Sequence, residues 1–121
     1  MSSVCSGNAK GDGSGGWFLG DRQPPGSRYH ENVFIKYGRH KRDDVCAQPH
    51  KEMPTMNVSI LVEGGPLIHF FKQINGVDLP DVEMKEIGDF VIYGPDVTHT
   101  WKATGDSVVV TMQFPPSGSE K

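Results

Sequence analysis

Apolar and polar residues alternate with a period of two along much of the chain, most clearly in residues 58–63 and 107–114. Successive side chains of a β-strand point to opposite faces, so this period predicts strands. Further β-rich stretches lie at 32–37, 67–72, 90–93 and 98–103, and Gly, Pro, Asn and Asp residues separate them. Residues 81–87 are compatible with a strand or a single helical turn. No stretch shows three turns of helical apolar spacing, so the sequence predicts an all-β sandwich or barrel.

Composition along the chain predicts one domain with polar ends. Residues 1–16 are mostly Ser, Gly, Asn, Asp and Lys, which bury too little apolar surface to offset the loss of chain entropy. We therefore expect a disordered leader at 1–16, a folded domain at 17–115 and a flexible tail at 116–121. The 121 residues suffice for a single hydrophobic core.

Charge and cysteine content narrow the range of partners. The net charge is −3 with both signs mixed throughout, which does not favour binding to nucleic acid or to an acidic membrane surface. The first residues lack the apolar stretch of a secretory signal, and no apolar run reaches the ~20 residues needed to span a bilayer, so we expect a soluble, intracellular protein. Cys5 and Cys46 form no CxxC pair, which favours free thiols in a cytoplasmic protein. A small polar or anionic molecule is the expected partner.

One stretch of the sequence resembles the second conserved motif of the cupin family. Gly88-Asp89 predicts a turn, an apolar stretch follows, Gly94 begins a second turn, and His99 precedes the aromatic Trp101 by two residues. Gly88 and His99 have the family's spacing, although a proline stands one position earlier than usual. The resemblance implies the cupin double-stranded β-helix, a jelly-roll barrel. Strand periodicity alone places His99 and Trp101 on the same face.

The first cupin motif, aligned on Gly64, matches in spacing but only partly in residue type. His50 stands at the first histidine position, Glu52 at the second and Asn57 at the glutamate position. In one interpretation His50, Glu52 and His99 hold a divalent Fe, Mn, Ni or Zn ion. Asn57 is then a weak fourth ligand or a hydrogen-bond donor to substrate. In the other, no metal binds and the polar lining holds an organic ligand directly. Residues 17–20 and 35–41 also resemble small cyanobacterial cupins, many of which lack the usual histidine pair.

These considerations predict a pocket inside the barrel and assign other polar residues to structural roles. His69 alternates with apolar neighbours, which is typical of a packed core histidine. The basic run 39–42 is flanked by acidic residues and fits a solvated turn, with a grip on carboxylate or phosphate as the alternative. The predicted pocket residues are Tyr37, His50, Glu52, Asn57, Tyr93, His99 and Trp101.

The apolar residues Val58, Ile60 and Val62 would then face outwards and need a cover. Residues 17–19 or a second copy of the chain would provide it, and we therefore expect a homodimer. The leading functional hypothesis is a small-molecule-binding cupin of unassigned activity. The alternatives are a metal-dependent oxygenase, isomerase or lyase acting on a small polar substrate, and a non-catalytic accessory or regulatory subunit.

Overall fold

The computed structural model describes residues 5–11, 15–24, 26, 28–46, 50–51, 55–73, 79–95 and 97–115, with only the backbone at 11, 50, 51 and 73. In these residues the only helical element is a short 3₁₀ turn, Ala9–Gly11, and the all-β prediction is confirmed. The predicted tail 116–121 and parts of the predicted leader, 1–4 and 12–14, lie outside the described residues. The described residues form nine strands: β1 (Trp17–Leu19), β2 (Phe34–His40), β3 (His50–Lys51), β4 (Met56–Gly64), β5 (Leu67–Gln73), β6 (Val82–Met84), β7 (Phe90–Tyr93), β8 (Val97–Ala103) and β9 (Ser107–Phe114).

The strands form two antiparallel sheets. A five-stranded sheet has the order β1-β2-β9-β4-β7, and a four-stranded sheet has the order β3-β8-β5-β6. Strands that are neighbours in a sheet are often distant in sequence, as with β2 and β9, because successive strands cross between the sheets. Two facing antiparallel sheets with such crossovers form a jelly roll.

The alternation in β4 confirms which residues of this strand face inwards. Asn57, Ser59 and Leu61 are 0%, 2% and 0% exposed, whereas Val62 is 38% exposed. The inward positions are thus occupied by two polar residues followed by an apolar one. Along this strand the interior changes from polar to apolar, which separates a candidate site from the core.

Residues from both sheets build the apolar core. Leu61 in β4 and Val109 in β9 face Leu67 in β5 and Ala103 in β8, and all four are at most 2% exposed. Burial of such side chains stabilises the fold by about 1.5–3 kcal/mol for each large one. Among the described residues the buried cluster comprises Leu61, Leu67, Phe71, Met84, Val91, Ala103 and Val109.

The Gly88-Asp89 turn before β7 has the conformation that its sequence predicts. Gly88 has a φ of 98°, which glycine adopts without steric cost. The Asp89 carboxylate accepts hydrogen bonds of 3.0 Å from the backbone N–H groups of Lys85 and Glu86. These bonds, the one from Glu86 first, lower the pKa of Asp89, because they favour its charged form. The ambiguous stretch 81–87 contains both a strand, β6, and this turn.

The outer face of the five-stranded sheet carries exposed apolar side chains. Met56, Phe90 and Ile92 are 45%, 61% and 55% exposed. β1 does not cover them, because it pairs edge-on with β2 and Trp17 lies opposite Lys36. β1 therefore does not cover this apolar face. Coverage by a second copy of the chain, in a homodimer, stays a prediction.

Candidate functional site

Asn57 is the most deeply buried polar residue of the interior. It is 0% exposed and lies opposite Tyr93 on β7 and Gln113 on β9. Its Nδ2 donates to Oγ1 of Thr55 at 3.2 Å and, at 3.4 Å, to the backbone oxygen of the same residue. Its Oδ1 accepts no hydrogen bond from any residue that the structure describes. A buried amide oxygen without a donor costs about 1–3 kcal/mol, so this atom favours a bound donor.

Ser59 continues the polar row one step further into the barrel. It is 2% exposed, and its hydroxyl and that of Thr111 on β9 share a hydrogen bond of 3.0 Å. Thr111 lies opposite Lys36 on β2, so the three residues occupy one row across the inner face of the sheet. The polar lining therefore extends over β4, β9 and β2.

Aromatic and imidazole rings line the interior near Asn57. The Tyr93 ring centroid lies 4.9 Å from that of His99, 5.0 Å from that of Phe71 and 6.2 Å from that of His69. His99 is only 8% exposed, and Tyr93 is half-buried. The structure thus brings together Asn57, Tyr93 and His99, three of the residues singled out from sequence.

His69 is a packed histidine, as its alternation with apolar neighbours indicates. It is 4% exposed and stacks on Phe71, with 5.8 Å between centroids and 7° between planes. Burial, followed by the proximity of His99 and His40, lowers the pKa of His69 to about 4. The ring is therefore neutral at physiological pH, and its Nδ1 has no hydrogen-bond partner within the described ranges.

The residues proposed as metal ligands are only partly described. Strand β3 pairs with β8 so that His50 lies directly opposite His99. Residues in such a cross-strand pair belong to the same face of the sheet, as joint ligation requires. Glu52 and the side chain of His50 lie outside the described residues. Among the described residues no group of three His, Cys, Asp or Glu side chains is arranged to hold a metal ion.

The structure includes Trp101 in the interior and does not bring Tyr37 to it. Trp101 lies opposite the buried His69, and its ring centroid is 4.2 Å from that of His40 on the facing sheet. Tyr37 lies opposite Val110 on the outer face of β2, because the inward positions of this strand are the residues on either side of it.

Sequence reasoning missed Lys36 and His40 as interior residues. Lys36 and His40 alternate along β2 with Tyr37, which faces outwards, and with Arg39, which is exposed. Gly38 lies between Lys36 and His40, faces inwards and is buried. Burial is the first cause that lowers the pKa of each, followed by Arg22 for Lys36 and by Lys36 for His40. The available signal was the spacing of Lys36, Gly38 and His40, but polar residues at inward positions invert the usual pattern.

The basic run 39–42 spans the end of β2 and the start of the turn that follows, and acidic side chains hold the backbone of this turn. The N–H of Lys41 donates to Oδ2 of Asp44, and that of Arg42 donates to Oδ1 of Asp106, both at 2.8 Å. Arg39, Lys41 and Arg42 are exposed. These three side chains are therefore solvated, as the sequence predicts, whereas His40 faces the interior.

A separate cavity of about 460 Å³ lies against the four-stranded sheet. Phe70 and Lys72 of β5 and Thr98 and Thr100 of β8 line it, and these form two cross-strand pairs. The buried Phe71 and His99, which alternate with these residues, line the cavity as well. It therefore borders the interior cluster at two residues.

Comparison with known proteins relates this architecture to solved structures only. No family model and no curated protein matches the chain. The structure of KdgF from Halomonas sp. is similar, with a TM-score of 0.57 and 15% identity over 74% of this chain and 76% of that one. An RmlC-like cupin from Desulfovibrio desulfuricans has a TM-score of 0.53 and 17% identity over 73% and 76%. A sugar phosphate isomerase from a cupin superfamily, from Silicibacter pomeroyi, has a TM-score of 0.51 and 11% identity over 71% and 52%.

Fold and site together define a small jelly-roll barrel with a polar interior on one side of an apolar core. At these identities the likenesses establish the fold and nothing finer. The chain has the cupin fold, as the Gly88 to Trp101 motif implies. Within the described residues, no helix is long and apolar enough to cross a membrane.

Proposed function

We propose that the protein binds a small polar molecule inside the barrel. The single observation that carries this proposal is the buried amide of Asn57, whose Oδ1 lacks a donor within the described part of the chain. Proteins rarely leave a buried polar atom unsatisfied, and a ligand N–H or O–H group would satisfy this one. The surrounding rings of Tyr93 and His99 would supply apolar contact to the same ligand.

The arrangement of polar and apolar rows supports the same conclusion. A purely structural barrel gains stability from apolar inward residues, yet β4 turns Asn57 and Ser59 inwards while Val62 faces outwards. Polar groups at inward positions cost free energy unless they are hydrogen-bonded. Thr111 satisfies the Ser59 hydroxyl, whereas Oδ1 of Asn57 has no donor among the described residues, and a ligand would supply one.

A thermal-shift screen of small polar metabolites tests the proposal. We expect at least one compound to raise the Tm of the wild type, and Asn57→Ala to abolish that rise. Asn32→Ala is the matched control, because Asn32 is exposed in a loop. A compound that stabilises wild type and Asn57→Ala equally would place binding elsewhere and contradict the proposal.

A second candidate, a metal-dependent enzyme, is favoured by the register of His50 opposite His99. In this hypothesis the two histidines and Glu52 hold a divalent Fe, Mn, Ni or Zn ion, which would polarise a bound substrate. The test is the metal content of untagged protein beside that of His99→Ala. Near-stoichiometric metal that is lost on substitution would favour the enzyme. Absence of metal in both, with no thermal shift on adding these ions, would reject the ligand set.

A further inference from the structure

Lys36 is a cation held against the inner face of the barrel. It lies opposite Thr111, which is hydrogen-bonded to the buried Ser59, so it shares the inward face with these residues. On its other side it lies opposite Trp17, and its Nζ is 5.8 Å from the Trp17 ring centroid. The ammonium therefore sits between the edge strand β1 and the polar row of the interior.

No acidic side chain neutralises this ammonium among the described residues. The one ion pair within them joins Arg22 to Asp21 at 4.0 Å, on the surface. Burial and, after it, the nearby Arg22 lower the pKa of Lys36, and Cys46 opposes this shift only in part. A charge taken out of water is costly unless it is paired, and a bound anion would pair it.

Gly38 leaves room for a methyl group beside Lys36 and His40. A Cβ built on this glycine would lie 3.4 Å from Nε2 of His40 and 3.8 Å from Cε of Lys36. The absence of a side chain at this inward position thus leaves a small space that both basic side chains border. His40 is also held in place by its ring contact with Trp101, at 4.2 Å between centroids.

A cavity with a basic lining lies beside the same segment of β2. Its volume is about 360 Å³, and Lys36 and Gly38 line it together with Tyr37, which belongs to the outer face of the strand. Its other charged lining residues in the described part of the chain are Lys10 and Arg39. The guanidinium carbon of Arg22 lies 4.2 Å from the Trp17 ring centroid, which adds a further positive charge beside the same edge.

We propose that Lys36 and His40, on either side of Gly38, bind the carboxylate or phosphate group of a small molecule. This inference rests on the proposed function, since the anion would be one end of the ligand held in the interior. The ammonium supplies a charge-assisted hydrogen bond and the imidazole Nε2 supplies a second donor. Trp17 offers a flat apolar surface next to the charged end.

The experiment uses the full chain with malonate and inorganic phosphate as probes, at an ionic strength matched with sodium chloride. We expect either probe to raise the wild-type Tm above the chloride control, and calorimetry to give its Kd. Lys36→Met should raise that Kd by about tenfold or more, because it removes a charge-assisted hydrogen bond. Lys102→Met, on an exposed residue of β8, should leave it unchanged. A stronger response to malonate would identify a carboxylate, and a stronger response to phosphate a phosphate.

Two further measurements distinguish binding from a structural role. Without anion, Lys36→Met should be at least as stable as the wild type, because it removes an unpaired charge. Gly38→Ala, whose methyl group fits without a clash, should weaken binding even if Lys36→Met fails to fold. Gly94→Ala, in open space, is its control.

If malonate and phosphate raise the wild-type Tm no more than chloride does, the anion site is overturned. A Kd left unchanged by Lys36→Met or by Gly38→Ala would overturn it as well. A neutral ligand that still depends on Asn57 would, in that case, leave the proposed function standing.

Discussion

The depressed pKa of His69 predicts that the protein loses stability in mild acid. Its folded-state pKa is about 4, against an ordinary value of 6.5. Between these values the unfolded chain binds a proton that the folded chain does not, so stability rises with pH across this window. The stabilising contribution is complete above the unfolded pKa and is lost as the pH falls towards the folded one.

The size of the effect follows from the two pKa values. Between about pH 7.5 and pH 5, linkage gives a loss of about 2 kcal/mol from His69 alone. Solvent does not screen this contribution appreciably, because His69 is only 4% exposed. His40 contributes in the same direction, since its pKa is also lowered by burial.

The assay is urea unfolding at both pH values for the wild type and for His69→Phe. Phenylalanine retains the stacked ring beside Phe71 but cannot be protonated. We expect the variant to lose about 2 kcal/mol less than the wild type on acidification, since contributions from other groups cancel in the difference. Equal losses in both proteins, or an NMR titration of His69 near its ordinary pKa, would refute the reasoning.

Three further predictions concern the fold and its assembly. Leu61→Ala should cost about 3 kcal/mol by denaturant unfolding, because it opens a cavity in the core, whereas Val62→Ala should cost less than about 1 kcal/mol. Gly64→Ala should cost about 2 kcal/mol, because Gly64 has a φ of 71° and a methyl group would collide with a backbone carbonyl, while Gly94→Ala should be tolerated. Sedimentation should show a homodimer that Phe90→Asp dissociates, and a monomeric wild type would contradict this prediction.

The sequence predicts most of the strands, because period-two patterns follow from backbone geometry alone. In β4 and β8 the predicted parity is confirmed: Asn57 and His99 face inwards with the residues two positions away. The Gly88 turn was equally predictable, because a positive φ favours glycine.

The inward face of β2 was not predictable from sequence alone. Its apolar Tyr37 faces outwards and its charged Lys36 faces inwards, which reverses the expectation that apolar side chains are buried. The parity is set by pairing with β9, a strand far away in the chain. Without that pairing, a pattern of Lys, Gly and His gives no reason to assign them to a barrel interior.

The most direct test of ligand binding inside the barrel is a histidine-selective NMR titration. The probe is the compound that most raises the Tm in the metabolite screen. We expect the ring signals of the interior histidines, His40, His69 and His99, to shift with saturation. The signal of the exposed His30 should stay unchanged. Shifts confined to His30, or a bound ligand that moves none of the three interior histidines, would contradict a site inside the barrel.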